Sequence, residues 1–344
     1  MGDNKKQTTI YDISKLAGVS IATVSRVLNG SSKVSPDTRD RVLRIISESN
    51  YEPNVFARGL GLGSMKTIGI LCADVSDIYL AASVSFLERE LRKNNFDTVL
   101  HCTGYNYEQQ VKSIRAMEAR KVAAVIMVGS HYIESSNKKN EYIRETARRI
   151  PVMLQNGYLD DDNIYGVLSE DENAFYDATS LLLSSGRKRI MFLYRERTYS
   201  ETHKYNGFVR ALNDSGVSIE NALFVRSRNT IRYVKDDIKP FFEDSSAQPD
   251  AILACDDELA IGALKCLQEL KIQIPEQVSL IGCNNSVLSI SCEPELTTID
   301  NMCEILCIDI VNALMQILDG QKAPGKTMVS CKLVERGTTD FRKP

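Results

Sequence analysis

The spacing of apolar residues changes character near residue 66. Before it, apolar positions recur at helical intervals. Over residues 9–17 the side chains of Ile10, Ile13, Leu16 and Ala17 fall on one face, behind a Thr9 hydroxyl suited to cap the helix. Gly18 breaks the pattern where a tight turn needs positive φ, and Ser20 can cap the next helix. That second helix is expected over residues 21–29. Val24, Val27 and Leu28 face inward, Ala22, Thr23, Ser25, Arg26 and Asn29 stay outward, and Gly30 ends the helix. Ser35-Pro36-Asp37 opens a third helix, with Val42, Leu43, Ile45 and Ile46 as its core face.

Two short helices joined at a glycine turn, with a third behind, form the helix-turn-helix arrangement of DNA readers. A plain three-helix bundle has the same apolar pattern. The short polar residues around Arg26 favour the DNA reader, because an uncluttered helix fits the major groove. There Arg26 can donate two hydrogen bonds to guanine O6 and N7.

After Thr67 the pattern alternates. Short apolar runs at 68–72, 97–100, 122–128, 151–154, 164–168, 189–194, 222–225, 251–254 and 278–282 are separated by helical periodicities. Val84, Leu87 and Leu91 form one such stripe, and Ala260, Ala263, Leu264 and Leu267 another. Strand–helix alternation predicts parallel α/β sheets, and about eleven strands predict two doubly wound halves rather than one sheet. Such sheets bind ligands where loops leave the carboxyl ends of strands.

Charge sharpens the division. Residues 1–64 hold nine Lys/Arg against six Asp/Glu, and the rest of the chain holds 33 against 39. A basic head on an acidic body suits a head that meets polyanions. The whole, 344 residues with 43% hydrophobic and 25% charged, is ordinary globular composition with room for two or three folded units. The longest apolar run, 122–128, is about a third of the ~20 residues that cross a bilayer. No charged-then-apolar segment opens the chain, so a cytoplasmic protein without a membrane span is expected.

Nine cysteines are spread from Cys72 to Cys331 without a Cys-x-x-Cys pair, and His101, His131 and His203 lie far apart. Neither a disulfide framework nor a metal site is expected, and no cofactor. Cys303 and Cys307, four apart on an apolar helical pattern, read as buried thiols in a reducing compartment. Gly59-Leu60-Gly61-Leu62-Gly63 ahead of Lys66 superficially matches a phosphate loop. It precedes a strand instead of coming after one, which is the wrong order for helix amides to face phosphate.

The run Thr9-Ile10-Tyr11-Asp12-Ile13-Ser14-Lys15-Leu16-Ala17-Gly18-Val19-Ser20-Ile21-Ala22-Thr23-Val24-Ser25-Arg26-Val27-Leu28-Asn29-Gly30 closely resembles the head of the lactose/galactose-repressor (LacI/GalR) family. Val34-Ser35-Pro36, Tyr51-Glu52-Pro53-Asn54 and Ala57-Arg58-Gly59-Leu60 continue the likeness. It implies base-reading roles for Ile21, Ala22 and Arg26, and phosphate-gripping or supporting roles for Tyr11, Ser20, Thr23 and Asn29. Leu60 stands where the family wedges a leucine into the minor groove, a bend whose unstacking cost is recovered in new contacts. Gly59, Gly61 and Gly63 weaken a free hinge helix, so the hinge is expected to fold only on DNA.

The resemblance implies a three-part chain. A helix-turn-helix DNA-binding domain spans 1–53, a hinge helix or linker 54–65, and a two-lobed effector-binding and dimerisation core 66–344. The fold class is then α/β: an N-terminal all-α helix-turn-helix head joined by the hinge to a periplasmic-binding-protein-like core with doubly wound parallel sheets. The first lobe is expected near 66–166 with a returning segment near 296–325, and the second over 167–293 with a C-terminal strand around 328–335. Asp74, Tyr79, Lys204, Asp256 and Asn284 are the effector-binding candidates, and Asp257 is expected to cap the helix that begins there. Lys204 stands where the family has arginine, Asn284 where it has aspartate, and Glu170-Asp171 where it has Asp-Asn. Lysine lacks the planar fork and asparagine removes a charge, so an altered pocket is expected.

The function so implied is a homodimeric, sequence-specific transcription regulator of repressor type on a pseudopalindromic double-stranded operator. A small effector, a sugar or related metabolite, controls its affinity, and some relatives answer to a phosphocarrier protein coregulator. The alternative is a cytoplasmic sugar-binding or enzyme-like α/β protein. Against catalysis, the chain has no nucleophile–base signature and no nucleophile elbow. A transport receptor would need a signal peptide and would carry no helix-turn-helix.

Overall fold

A computed structural model describes residues 8–28, 33–49, 66–227, 231–243 and 248–341. The chain divides into two compact units with the boundary at Thr67. In the head, α1 (Ile10–Ala17) begins in a capping box: Thr9 Oγ1 accepts the Asp12 amide at 3.4 Å, and the Asp12 carboxylate accepts the Thr9 amide at 2.9 Å. Gly18 takes φ +62°, which turns the chain into α2 (Ile21–Leu28), where Ser20 Oγ accepts the Thr23 amide at 3.2 Å. At α3 (Pro36–Glu48) the Ser35 hydroxyl bonds the Thr38 hydroxyl, at 2.9 Å, rather than an amide.

Ile13, Ala17, Val24, Val27 and Val42 form the small core, with Ile10, Leu28, Ile45 and Ile46 at its margin. Two expected core residues differ: Leu16 is 65% exposed and Leu43 46%. On α1, Ile13, Ser14 and Ala17 complete the buried stripe, and Leu16 lies about 60° further round, beyond its edge. Leu43 flanks the line through Val42, Ile45 and Ile46 in the same way.

The second unit holds two six-stranded sheets. β1 (Thr67–Cys72), β2 (Asp97–Cys102), β3 (Ala124–Val128), β4 (Val152–Gln155) and β5 (Ile164–Ser169) join β11 (Lys326–Val329) in the order β11-β5-β4-β3-β1-β2. β6 (Ile190–Tyr194), β7 (Leu223–Arg226), β8 (Ala251–Ala254), β9 (Ser279–Cys283) and β10 (Thr297–Asp300) join β12 (Lys332–Val334) in the order β12-β10-β9-β8-β6-β7. β12 runs antiparallel to β10, while β10-β9, β9-β8, β8-β6 and β6-β7 are parallel. β1, β3, β4, β8 and β9 are buried throughout, the continuous apolar reading of a sheet covered on both faces. The helices between them are α4 (Ile78–Lys93), α5 (Tyr107–Ala119), α6 (Glu141–Ala147), α7 (Asp171–Ser184), α8 (Tyr199–Asp214), α9 (Ile231–Ile238), α10 (Asp257–Glu269) and α11 (Cys303–Leu318).

The chain passes between the lobes after Ser169, around Asn301 and Met302, and at Ser330–Cys331, which moves the expected boundaries by a few residues. β5 runs to Ser169 within the first sheet, β10 belongs to the second and β11 to the first. Backbone pairing decides this: Thr297 sits opposite Ile281 in the second sheet, and Met328 opposite Leu168 in the first. Periodicity along the chain carries no such register.

Packing in the second lobe positions the chemistry. Phe192 of β6 meets Phe175 of α7 and Phe208 of α8, with ring centroids 6.1 and 5.0 Å apart. A Cβ at Gly207 would stand 2.0 Å from the Glu172 carbonyl, so only glycine lets α8 cross α7 this closely. That crossing brings Ser200 and Lys204 against Asp171. Among the described residues no helix is long and apolar enough to cross a membrane.

Candidate functional site

On the head, Arg26 and Ala22 are exposed on α2, with Ile21, Thr23 and Ser25 half-buried beside them. The Ser20 and Thr23 hydroxyls lie 2.9 Å apart at the start of the helix. Tyr11 is 64% exposed on the surface of the head. Short side chains around one long guanidinium give a helix face able to enter a groove. Asn29, Leu60 and the hinge 54–65 lie outside the described residues.

In the second unit a cleft of about 660 Å³ opens between the two lobes. Its walls are the ends of strands and the first turns of helices, where loops can vary without disturbing either sheet. Asp74, Tyr79, Lys204, Asp256 and Asn284, up to 210 positions apart in the chain, all line it. The structure commits each of them to a neighbour.

From the first lobe, Asp74 accepts the Ser76 amide at 2.8 Å, and that bond holds its carboxyl below the usual carboxylate range. Asp77 caps α4 by accepting the Leu80 amide at 2.9 Å. Burial pushes its pKa the other way, upward, with Asp256 adding to the rise while the Leu80 amide and Arg195 oppose it. The Tyr79 hydroxyl accepts from Asn156 Nδ2 at 2.8 Å and Gln155 Nε2 at 3.3 Å. Asn156 Oδ1 in turn accepts the Ser169 amide at 3.0 Å, linking the cleft floor to an interlobe crossing.

The second lobe contributes charge. Arg195, at the end of β6, grips Asp256 through Nε at 2.7 Å and Nη2 at 3.2 Å, and Glu258 at 2.6 Å. Asp256 also caps α10, accepting the Leu259 amide at 2.8 Å. The Lys204 ammonium is buried, donates to the Cys255 carbonyl at 2.9 Å and lies over the Phe175 ring. Burial opposes its charge, but Cys283, Asp171 and Glu201 outweigh that and keep it protonated. Asp171 accepts the Ser200 hydroxyl, and burial raises its pKa against the pull of Lys204. Glu201 accepts the Glu196 amide at 2.9 Å and the Arg195 amide at 3.3 Å; burial pushes its pKa up to about 7.

The helix cap expected of Asp257 belongs to Asp256. Asp257 is the first helical residue and turns inward, accepting Thr298 Oγ1 at 2.6 Å and the Ser286 amide and hydroxyl at 2.7 and 2.8 Å. The physical reason is geometry: the residue before the helix has the extended backbone that lets a side chain reach back to the Leu259 amide. Asn284, at φ +104°, accepts from Asn301 Nδ2 at 2.9 Å.

Sequence reasoning missed Arg195, Glu201, Asn156, Asn301, Tyr105 and His131, all on the same walls. The strand-end rule that selected Asp74 and Asp256 also selects His131 after β3, Asn156 after β4 and Arg195 after β6. Two side-chain atoms here, Asn301 Oδ1 and His131 Nε2, are buried without a hydrogen-bond partner, the state a bound hydroxyl relieves. Among the described residues no cluster of three or more metal-ligating side chains occurs.

Two family models match the chain: the lacI family of bacterial regulatory proteins over residues 9–54, and the periplasmic binding protein-like domain over 179–339. An HTH-type transcriptional regulator of Lachnoclostridium phytofermentans is 45% identical over 332 residues, covering 96% of this chain and 99% of that protein. Catabolite control protein A of Priestia megaterium is 30% identical over 294 residues, covering 85% of this chain and 86% of its own. Among solved structures, a lac repressor dimer bound to operator and the anti-inducer ONPF superposes with a TM-score of 0.85 at 22% identity, over 97% of this chain and 99% of that one.

Proposed function

Because the chain belongs to the lacI (LacI/GalR) family of bacterial regulatory proteins, DNA-binding transcription regulators, we propose that it represses as a homodimer on a pseudopalindromic operator. Residues 1–53 form the reading head, 54–65 the hinge, and 66–344 the core that senses and dimerises. Arg26, Ile21 and Ala22 read bases; Tyr11, Ser20, Thr23 and Asn29 hold or support the phosphate grip, and Leu60 wedges the minor groove. Asp74, Tyr79, Lys204, Asp256 and Asn284 receive a polyhydroxylated effector such as a sugar.

The convergence of those five residues on one interlobe cleft carries this reading. Planar polar groups beside aromatic faces are how sugar-sized ligands are oriented. The solved relative that is a dimer bound to operator and an anti-inducer supports the dimer and the coupling. An effector shifts operator affinity only by the difference in its affinities for the two states, so it must hold the lobes differently in each.

The test begins by selecting binding sites from random duplexes, which should yield a pseudopalindrome. Arg26→Ala should then lose about 1–3 kcal/mol of operator affinity and relax choice at one base pair. Equal weakening on random DNA would overturn its role. A melting screen against sugars should find a ligand that, at about 100 times its Kd, stabilises by roughly 2.7 kcal/mol. A gain in operator affinity with a phosphocarrier protein, and none with any sugar, would move the input from the cleft to a protein surface.

A further inference from the structure

Resting on the cleft as the seat of a polyhydroxylated effector, we propose that this effector is a saccharide of at least two units, whose second ring stacks on Tyr105 in an outer chamber. The inner cavity of about 660 Å³ adjoins a second of about 490 Å³, and Tyr105, His131, Glu196 and Thr198 are walls of both. The inner volume alone is in the range that encloses a drug-sized ligand, and a single pyranose leaves most of the combined space empty.

Tyr105 has the form of a platform. It is 53% exposed, and its only ring neighbour among the described residues, His131, meets it edge-on at 5.3 Å and 67°, so none of their rings stacks on its face. Its hydroxyl makes no hydrogen bond among the described residues. An aromatic ring with an apolar face and a free polar tip suits the C–H face of a sugar.

His131 supplies an independent pointer. Its Nε2 is buried and unpartnered at the junction of the two chambers. A buried polar atom left so is costly, and a ligand hydroxyl at the junction removes that cost. Burial lowers its pKa to about 4, so the ring meets the ligand uncharged and suits a neutral hydroxyl.

The outer chamber also holds a cation able to bind. Arg226 is taken by Glu196 at 3.0 Å, whereas Arg197 lies over the Tyr205 ring at 4.8 Å with no ion pair among the described residues. Its planar fork can span two neighbouring hydroxyls. In the inner chamber Arg195 is held by Asp256 and Glu258, and the buried Lys204 ammonium by the Cys255 carbonyl, which disfavours a phosphorylated inner ring.

Calorimetric titration of the full chain against glucose, cellobiose and cellotriose, xylose, xylobiose and xylotriose, and mannose and mannobiose tests this. In one series the disaccharide should bind about tenfold more tightly than its monosaccharide. Tyr105→Ala should erase that gain, costing the disaccharide far more affinity than the monosaccharide, and Tyr105→Phe, which keeps the ring, should retain it. Equal affinity for mono- and disaccharides in every series, with Tyr105→Ala silent, overturns the two-unit effector and leaves the cleft reading intact. Binding of no saccharide of any length, in a protein that melts cooperatively and binds its operator, overturns both.

Discussion

The two lobes repeat one strand order and face the same cleft with opposite chemistry. Beyond Asp74 and Asp77, the first lobe works with neutral groups: Tyr79, Asn156 and Gln155 share hydrogen bonds, and His131 is held uncharged. The second lobe is a lattice of charges, with Arg195 between Asp256 and Glu258, and Lys204 among Asp171, Glu201 and the Cys255 carbonyl. A neutral network loses one hydrogen bond when one member goes. A charged lattice strands a buried charge, and this asymmetry is far larger than the average strength of either interaction.

The largest test of that contrast is Lys204→Met. The ammonium is buried, and its loss leaves Asp171 inside the second lobe without a cation. Roughly 3–5 kcal/mol of unfolding free energy should disappear, read as a drop in urea midpoint. Adding Asp171→Asn should restore part of it, because the stranded charge is then gone. A double variant no more stable than the single one would show that packing over Phe175, rather than charge, is what Lys204 provides.

How far the sequence alone showed this arrangement depends on range. The Thr9 cap, the Gly18 turn and the strand–helix alternation are short-range patterns, and each stands where it was expected. The lobe crossings depend on pairing between strands more than 100 residues apart, such as β11 with β5, and no local period encodes that. The charged lattice was half legible. Asp256 stood out at a strand end and Lys204 by its match to a family arginine, but Arg195 lies in the all-polar run Arg195-Glu196-Arg197, where nothing marks which charge turns inward. The helix cap was assigned to Asp257 instead of Asp256 for the same reason, since adjacent carboxylates are distinguished by backbone angle alone.

The lobes should also differ in the sign of their pH dependence. Glu201 in the second lobe has a folded pKa near 7, above its ordinary 4.5, so the fold favours its protonated form. Its contribution is complete below about pH 4.5 and is lost as pH rises through about 7, amounting to about 1–2 kcal/mol once its partial exposure is allowed for. His131 in the first lobe is lowered from 6.5 to about 4, so its contribution is complete above about pH 6.5 and is lost as pH falls through about 4, on the order of 2 kcal/mol. Glu201→Gln should therefore match the parent protein at about pH 5 and exceed its stability at about pH 8, whereas His131→Gln should narrow its deficit as pH falls. Urea midpoints across that range decide it, and slopes of the same sign for both variants would remove the contrast.

The smallest effect belongs to Tyr79→Phe. The ring stays, so packing at the cleft floor is unchanged, and no charge is stranded. The variant loses only the oxygen that accepts from Asn156 Nδ2 at 2.8 Å and Gln155 Nε2 at 3.3 Å. Gln155 keeps a second partner in Ser83 Oγ at 3.0 Å, so its donor remains occupied. Asn156 Nδ2 is the group left bare, while Asn156 Oδ1 still holds the Ser169 amide at the interlobe crossing. The expected loss is about 1 kcal/mol, a fall in Tm of roughly 2–4 °C, with the same dependence on pH as the parent protein. Asn156 borders the cleft, so the freed amide can turn towards a ligand hydroxyl, and effector affinity should fall less than stability does. A loss as large as that of Lys204→Met would mean that the neutral wall is as tightly bound together as the charged one.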